Sequence, residues 1–281
     1  MTRTVHVGGD GPAIALDVAG EGPLLLFLHG IGGNRTNWRE QLAHFGGRFT
    51  AAAWDARGYG LSGDDDPATP RDHAAYAADL LRVVDHFGAA WANLCGLSMG
   101  GRIAMDFVVR HPDRVNALIL ADTHLGFGHF AAEEQDSFIA MRRGPLDAGV
   151  TPRAMAPPVA RSLMGPEAGP EIFDRLVDSM AALRPASYIR AIECMVRSDR
   201  FDALESIAVP TLVLAGDGDR LTPPAMGRAI AARIPGARFA VVPGAGHLSN
   251  IEAPAAFNAL LDEFLGYGPS IRCSAGARAA M

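Results

Sequence analysis

Lysine is absent from this sequence of 281 residues, and the chain has 25 arginines. The absence excludes chemistry that needs a lysine amine, including Schiff-base catalysis and phosphoryl transfer at P-loop or protein-kinase sites. The 31 acidic residues outnumber the arginines and give a formal net charge of −6. Because the chain has neither a basic excess nor a basic cluster, we expect no nucleic-acid partner.

Cysteines and long apolar runs are also scarce. The three cysteines, Cys95, Cys194 and Cys273, are far apart and form no C-x-x-C pair. This argues against a zinc site or a disulfide framework and predicts reduced thiols in a cytoplasmic protein. The longest apolar run, near residues 24–28, is too short to cross a bilayer, and the polar start of the chain is unlike a secretory signal. We therefore expect a cytoplasmic location and no membrane association.

The composition and the apolar pattern predict one α/β unit. Hydrophobic residues make up 49% and charged residues 20% of the chain, which suits a buried core without a metal or disulfide. Short apolar segments alternate with helical patterns, as in a mostly parallel sheet covered by helices. The predicted strands are 14–18, 24–28, 50–54, 92–95, 117–121, 211–215 and 239–242. The predicted helices are 37–44, 73–87, 98–110, 225–233 and 255–264.

The alternation stops between residues 124 and 206. This stretch has helical patterns and breaks such as Gly144-Pro145, but no convincing strand. We interpret residues 124–206 as an inserted helical lid over the strand ends, in a core formed by residues 1–123 and 207–267. The C-terminal residues 268–281 lack periodicity and are interpreted as an appended tail.

The strongest motif is Gly-Leu-Ser-Met-Gly at 96–100, which follows a predicted strand and opens a predicted helix. On such a tight turn, glycines let the chain segments approach closely, and the serine is held exposed in a strained conformation. The helix N-terminus also favours negative charge near the hydroxyl oxygen. The motif therefore predicts Ser98 as a catalytic nucleophile.

Other strand-end loops carry candidate acids and a candidate base. Asp217 and Asp219 follow the predicted strand 211–215, and either carboxylate could orient an imidazole or simply cap the loop. His247 follows the last predicted strand in a Gly-Ala-Gly-His sequence and is placed for general-base catalysis. Asp55 and Arg57 occupy a further strand-end loop, and we interpret them as partners that order it.

A glycine-rich turn, His-Gly-Ile-Gly-Gly at 29–33, follows the second predicted strand. Such a turn can aim a backbone amide at a neighbouring nucleophile. We expect the amide of Ile31 and the amide of Met99 to form an oxyanion hole beside Ser98. His29 is interpreted as a residue that shapes the turn.

Read in chain order, the candidates give Ser, Asp and His, and the sequence resembles the α/β-hydrolase superfamily over residues 24–265. Within it, the segments at 94–101, 110–115 and 247–252, together with Glu193, are similar to 3-oxoadipate enol-lactonases. The resemblance implies an α/β-hydrolase fold, with a mostly parallel sheet of about eight strands and an inserted helical lid.

The resemblance also implies hydrolysis of a carboxylic ester or lactone through an acyl-enzyme, with no metal or organic cofactor. In the superfamily pattern the acid lies three residues before Thr-Pro, which falls on Asp219. A minority of relatives take the acid from the end of the preceding core strand, where Asp122 lies, and Asp217 is a third candidate.

Alternatives to this function stay open. Serine at position 98 disfavours haloalkane dehalogenases and epoxide hydrolases, which use aspartate there. A C–C bond hydrolase of the meta-cleavage type, a perhydrolase of the haloperoxidase type and a ligand receptor on the same fold remain. The partner we expect is a small-molecule ester or lactone, and self-association to a homo-oligomer is not decided by the sequence.

Candidate residues of the substrate pocket are Gly30, His124, Arg142, Arg143 and Leu248. A lactone of the 3-oxoadipate type carries a carboxylate, which needs a cationic or amide partner. Either of the two neighbouring arginines could supply it, although both could equally be solvated surface residues. The lid of enol-lactonases tends to contribute a tryptophan to the pocket, whereas Trp38, Trp54 and Trp91 all lie outside the predicted lid here. The resemblance therefore does not extend to the exact substrate.

Overall fold

The segment Leu24–Leu28, in which every side chain is buried, lies near the middle of the sheet in the computed structural model of the protein. The structure describes residues 1–67, 69, 71–128, 130–197 and 203–267. Its eight strands are β1 (Thr2–Val7), β2 (Ile14–Ala19), β3 (Leu24–Leu28), β4 (Thr50–Trp54), β5 (Ala92–Leu97), β6 (Val115–Ala121), β7 (Thr211–Gly216) and β8 (Arg238–Val242).

The order of the strands in the sheet is β1-β2-β4-β3-β5-β6-β7-β8. The pairs β1–β2 and β2–β4 are antiparallel, and all the other neighbours are parallel. Because parallel strands end at the same edge of a sheet, the loops after β3, β5, β7 and β8 lie along one edge. This sheet confirms the predicted α/β-hydrolase fold and brings the candidate residues to one side of the molecule.

Helices cover both faces of the sheet. They are α1 (Arg39–Phe45), α2 (His73–His86), α3 (Met99–Arg110), α4 (Ala132–Asp147), α5 (Pro152–Leu163), α6 (Pro170–Ala181), α7 (Pro185–Arg197), α8 (Pro224–Arg233), α9 (Ser249–Glu252) and α10 (Pro254–Tyr267). The helices α1 and α10 bury Phe45 and Phe257 against one face, whereas α2, α3 and α8 pack on the other, with Leu80, Phe107 and Ile230 in the core.

Helices α4 to α7, called the helical insertion below, lie between β6 and β7. Their helical character is as predicted, while the limits at 124 and 206 stay predictions. The insertion is tied to the core at several points. Arg175 of α6 forms an ion pair with Glu40 of α1, at 2.8 Å, and the hydroxyl of Ser179 donates to the carbonyl oxygen of Gly32, at 3.0 Å.

Other sequence-based expectations have mixed outcomes. Strand β1 was not predicted, because most of its side chains are exposed and it lacks an apolar run. Cys95 and Cys194 are buried and form no disulfide bond, while Cys273 and the predicted tail 268–281 lie outside the described residues. In the described part of the chain, no helix has the length and apolar character needed to cross a membrane.

The first turn of α3 packs against β3 without room for side chains. A Cβ at Gly100 would lie 2.1 Å from the backbone oxygen of Leu28, and a Cβ at Gly96 would lie 2.3 Å from the backbone oxygen of Gly100. Both contacts are with backbone atoms, which cannot rotate away. Glycine is therefore required at both positions for the turn from β5 into α3.

We expect Gly100→Ala to destabilise the protein by about 3 kcal/mol or more, because the new methyl group forces α3 away from β3. Gly266→Ala is the matched control, since a Cβ at Gly266 in the last turn of α10 would meet no atom within 4 Å. That variant should be neutral or more stable by up to about 1 kcal/mol. Urea unfolding measures both values, and similar effects of the two substitutions would contradict the close packing.

Candidate active site

Ser98 stands between β5 and α3 in a left-handed backbone conformation, with φ +54° and ψ −114°. A non-glycine residue in this region is strained and is held there by its surroundings. Its amide donates to the carbonyl oxygen of Ala121 on the neighbouring strand, at 2.9 Å, and its carbonyl oxygen accepts from the hydroxyl of Thr123, at 2.8 Å. These contacts leave the half-buried hydroxyl at the edge of the sheet.

Ser98, His247 and Asp219 are connected by hydrogen bonds in series. The Oγ of Ser98 lies 3.1 Å from Nε2 of His247, and Nδ1 of the same ring lies 2.9 Å from Oδ2 of Asp219. Asp219 also accepts hydrogen bonds from the amides of Leu221, at 2.8 Å, and Thr222, at 2.9 Å. With a proton on Nδ1, the ring donates to Asp219 and its Nε2 is free to accept from Ser98.

Glu252 organises the loop that carries His247, a role that sequence reasoning missed. Its carboxylate accepts from the amides of Gly246 and Leu248, both at 3.0 Å, and from the amide of Gly165, at 2.7 Å. It thus holds the residues on either side of His247 and joins them to the helical insertion. The sequence contained no signal for this beyond the similarity at 247–252.

The two alternative acids occupy different positions. Asp122 follows β6 with φ +47° and accepts from the amide of Gly216, at 2.8 Å, and from the hydroxyl of Ser249. It therefore joins the end of β7 to the loop after His247 without a hydrogen bond to the ring. Asp217 is exposed. Of the three aspartates, Asp219 is in hydrogen-bond contact with the imidazole.

Burial and hydrogen bonding act in opposite directions on these groups. Burial opposes ionisation of Asp219, but hydrogen bonds from His247 and Thr222 outweigh it and lower the pKa of the carboxyl group. Burial disfavours the charged imidazole of His247, yet the hydrogen bond to Asp219 and the nearby carboxylates raise its pKa above 6.5. Burial raises the pKa of Asp122 to about 7, only partly offset by the charge of His247 and the hydrogen bond from Ser249.

The turn after β3 lies directly against the serine. A Cβ at Gly30 would lie 3.1 Å from the Cβ of Ser98, so glycine is needed for this approach. The amide of Met99 is the first of α3 and has no intrahelical acceptor. Within the described residues, neither this amide nor that of Ile31 donates a hydrogen bond to the protein. Both are therefore available to a ligand oxygen beside Ser98.

His29, Asp55 and Arg57 order the loops beneath the turn. The Nε2 of His29 accepts from the amide of Ala56, at 3.0 Å, and burial lowers the pKa of the ring. Asp55 accepts from the guanidinium of Arg35, at 2.7 Å, and Arg57 forms an ion pair with the buried Asp79, at 2.6 Å. Asp55 and Arg57 thus both order this region, each through its own partner.

Two cavities meet at Ser98, with volumes of about 390 and about 380 Å³. Both are lined mainly by apolar side chains, and four residues line both: Ile31, Ser98, Arg142 and Leu221. The first cavity also contains Gly30, His247 and Leu248, and the second contains Met99 and His124. Each has a size suited to a small organic ligand.

The two neighbouring arginines of the predicted pocket are separated by the structure. Arg142 lines both cavities. Arg143 lines neither of them and forms an ion pair with Glu193 of α7. In the described ranges, no three histidine, cysteine or acidic side chains are grouped as a metal site.

Solved structures with a similar fold include an esterase and an enol-lactonase. An esterase from Thermogutta terrifontis is 28% identical, with a TM-score of 0.85 over 94% of this chain and 98% of its own. An enol-lactonase from Burkholderia xenovorans is 27% identical, with a TM-score of 0.84 over 93% of this chain and 100% of its own.

Sequence comparisons agree with these structures. The chain is 30% identical to 3-oxoadipate enol-lactonase 2 of Acinetobacter baylyi over 84% of its own length and 86% of the relative. Residues 25–260 match the model of the alpha/beta hydrolase family. With this match and the eight-stranded sheet, the chain belongs to the alpha/beta hydrolase family.

Proposed function

We propose that the protein hydrolyses a carboxylic ester or lactone through an acyl-enzyme on Ser98. The observation that carries the proposal is the pair of hydrogen bonds that joins Ser98 to His247 and His247 to Asp219, at 3.1 and 2.9 Å. The arrangement lies where two cavities meet, so a substrate carbonyl can reach the hydroxyl. The relatives named as esterase and enol-lactonase support the same reaction class.

In the first half of the reaction, neutral His247 accepts the proton of Ser98 on Nε2 while Oγ bonds to the substrate carbonyl carbon. Asp219 keeps the other ring proton on Nδ1 and stabilises the imidazolium that forms. The carbonyl oxygen becomes an oxyanion, to which the amides of Ile31 and Met99 donate. Each such donor contributes roughly a hundredfold to a thousandfold in rate.

In the second half, the C–O bond to the leaving oxygen breaks, and this oxygen takes the proton from Nε2 of His247. The acyl group remains bonded to Ser98. Water then gives a proton to Nε2 of His247 and adds to the acyl carbon. When the second oxyanion collapses, the bond from the acyl carbon to Oγ breaks, Oγ takes the proton back from Nε2, and the acid is released. A lactone gives one hydroxy acid (or, from an enol-lactone, one oxo acid), because both parts belong to one molecule.

The helical insertion serves in this proposal as a lid. Its α4 and α5 contribute Arg142 and Val159 to the cavity walls, and its α7 contributes Ile192. Through Gly165 and Glu252 it is joined to the loop of His247, at 2.7 Å. The insertion therefore shapes the substrate pocket while the core supplies the reacting groups.

Ser98→Ala should lower kcat for p-nitrophenyl acetate by several orders of magnitude, because a nucleophile and its base act as a unit. Wild-type protein should release many product molecules per chain, whereas a receptor would release one at most. An irreversible phosphonate should add one mass to wild type and to Ser162→Ala, which keeps Ser98, but none to Ser98→Ala. Activity above about a tenth of wild type in Ser98→Ala would contradict the assignment.

Asp219→Asn should lower kcat by about ten-thousandfold, since the amide favours the wrong tautomer of His247. Asp122→Asn should have a much smaller effect on kcat, because Asp122 contacts Gly216 and Ser249 and not the ring. Steady-state kinetics of the two variants decide between the acids. A larger loss in Asp122→Asn would move the acid to the end of β6.

The kcat/KM profile should fall on the acid side with a midpoint above pH 6.5, because protonated His247 cannot accept the serine proton and its pKa is raised. In Asp219→Asn the burial of the ring remains while its anionic partner is lost. The midpoint of the residual activity should therefore move to lower pH. A wild-type midpoint below 6.5, or no movement in the variant, would contradict the proposed coupling.

A further inference from the structure

The wall shared by the two cavities carries one type of charge. Among the described residues, no aspartate or glutamate lines either cavity, whereas Arg142 lines both and Arg102 lines the second. Arg102 is engaged with the carbonyl oxygen of Met195. The carboxylates of the site, Asp219 and Glu252, lie behind His247 and are held by backbone amides. The described lining beside Ser98 therefore carries arginine and no carboxylate, although the whole chain has a net charge of −6.

In the part of the chain that the structure describes, the hydrogen bond and the ring contact of Arg142 are both with its own helix. Its guanidinium stacks on the ring of Phe138, with the Cζ atom 3.4 Å from the ring centroid, and it donates to the carbonyl oxygen of Phe138, at 3.2 Å. Phe138 lies one turn earlier on α4. In the described structure no hydrogen bond or ion pair of Arg142 joins α4 to another element. These contacts orient the side chain without giving it a role as a tie between helices.

Among the described residues, Arg142 is one of three arginines of the helical insertion without a carboxylate partner, and the other two, Arg161 and Arg184, contact Phe173 and backbone carbonyl oxygens. Five other arginines of the helical insertion form ion pairs with carboxylates: Arg143, Arg153, Arg175, Arg190 and Arg197. Arg142 has no carboxylate partner among the described residues, and burial lowers its pKa. A partly desolvated guanidinium without an anion is costly, and a ligand anion would remove that cost.

We propose that Arg142 binds a carboxylate of the substrate, so that the preferred substrate is an anionic ester or lactone with apolar parts in the two cavities. The inference rests on the proposed hydrolysis at Ser98, because Arg142 and Ser98 line the same junction. A guanidinium presents parallel N–H groups that match the two oxygens of a carboxylate. Apolar side chains at the entrance, such as Met141 and Leu221, suit the rest of such a molecule.

The test compares two substrates that differ in one charge. One is the mono-p-nitrophenyl ester of glutaric acid, and the other is the same compound with its free acid capped as a methyl ester. Release of p-nitrophenol reports cleavage of the same bond in both, after the rate without enzyme is subtracted for each substrate. The free acid needs this correction because its own carboxylate attacks the ester within the molecule. The ratio of their kcat/KM values isolates recognition of the carboxylate, because intrinsic reactivity at Ser98 is nearly the same for the two substrates. Ionic strength is kept constant throughout.

We expect wild type to prefer the acid and Arg142→Gln to lose about tenfold to a hundredfold of that preference, chiefly through KM. Arg142→Lys should keep part of it, since the charge remains and the planar fork is lost. Arg143→Gln is the matched control, with the same substitution one residue away at a position that lines neither cavity. Its preference should stay within about twofold of wild type.

Inhibition by glutarate gives a second readout that needs no charged substrate. Glutarate should compete with the capped ester in wild type and in Arg143→Gln, and at least tenfold less well in Arg142→Gln. Unchanged preference and inhibition in Arg142→Gln, or equal losses in the two variants, would overturn the proposal. Failure of the hydrolytic proposal is distinguished by Ser98→Ala, because turnover of both esters would then persist in that variant.

Discussion

The left-handed turn at Ser98 is the constraint on which the rest of the site depends. It requires the chain to leave a fully buried strand and enter α3 within one residue, and it is accommodated because Gly96 and Gly100 have no side chains where backbone atoms already lie. Strain of this kind costs about 1–3 kcal/mol and persists only where surrounding structure holds it. Here the buried sheet supplies that support. The same turn makes Met99 the first amide of α3, so one local conformation presents both a hydroxyl and a hydrogen-bond donor.

The carboxylates near His247 and the hydrogen-bond donors that face the cavities lie on different sides of its imidazole ring. On its far side lie Asp219, Asp122 and Glu252, each fixed by hydrogen bonds from the protein. On the side of the cavities lie unpaired backbone amides and Arg142, with no carboxylate in the lining that the structure describes. In the proposed reaction, negative charge that develops on a substrate carbonyl would meet these donors, and the carboxylates would balance the charge of the imidazolium. This separation suits an acyl-transfer transition state, in which both charges appear together.

The core and the positions of the candidate residues in its loops could be predicted because their signals are local. The run at β3 is apolar on both faces, and two glycines mark the serine turn, so both signals are visible in short stretches of the sequence. Strand β1 could not be found in this way, since it gains its place by pairing with β2 rather than by burying an apolar run. Position after a strand did not separate Asp122, Asp217 and Asp219, because all three follow strands at the same edge of the sheet. The superfamily pattern favoured Asp219, which is the one hydrogen-bonded to His247 in the structure.

The substrate pocket was less predictable, because it depends on which face of an inserted helix meets the core. Arg142 and Arg143 are adjacent in sequence, and neighbours on an α-helix point about 100° apart. Only the packing of α4 on α7 decides that Arg143 reaches Glu193 while Arg142 reaches the junction of the cavities. The sequence signal for chemistry is therefore stronger than the signal for specificity. The signal for chemistry lies in short turns of the core. Specificity depends on the orientation of inserted helices, whose positions no local motif specifies.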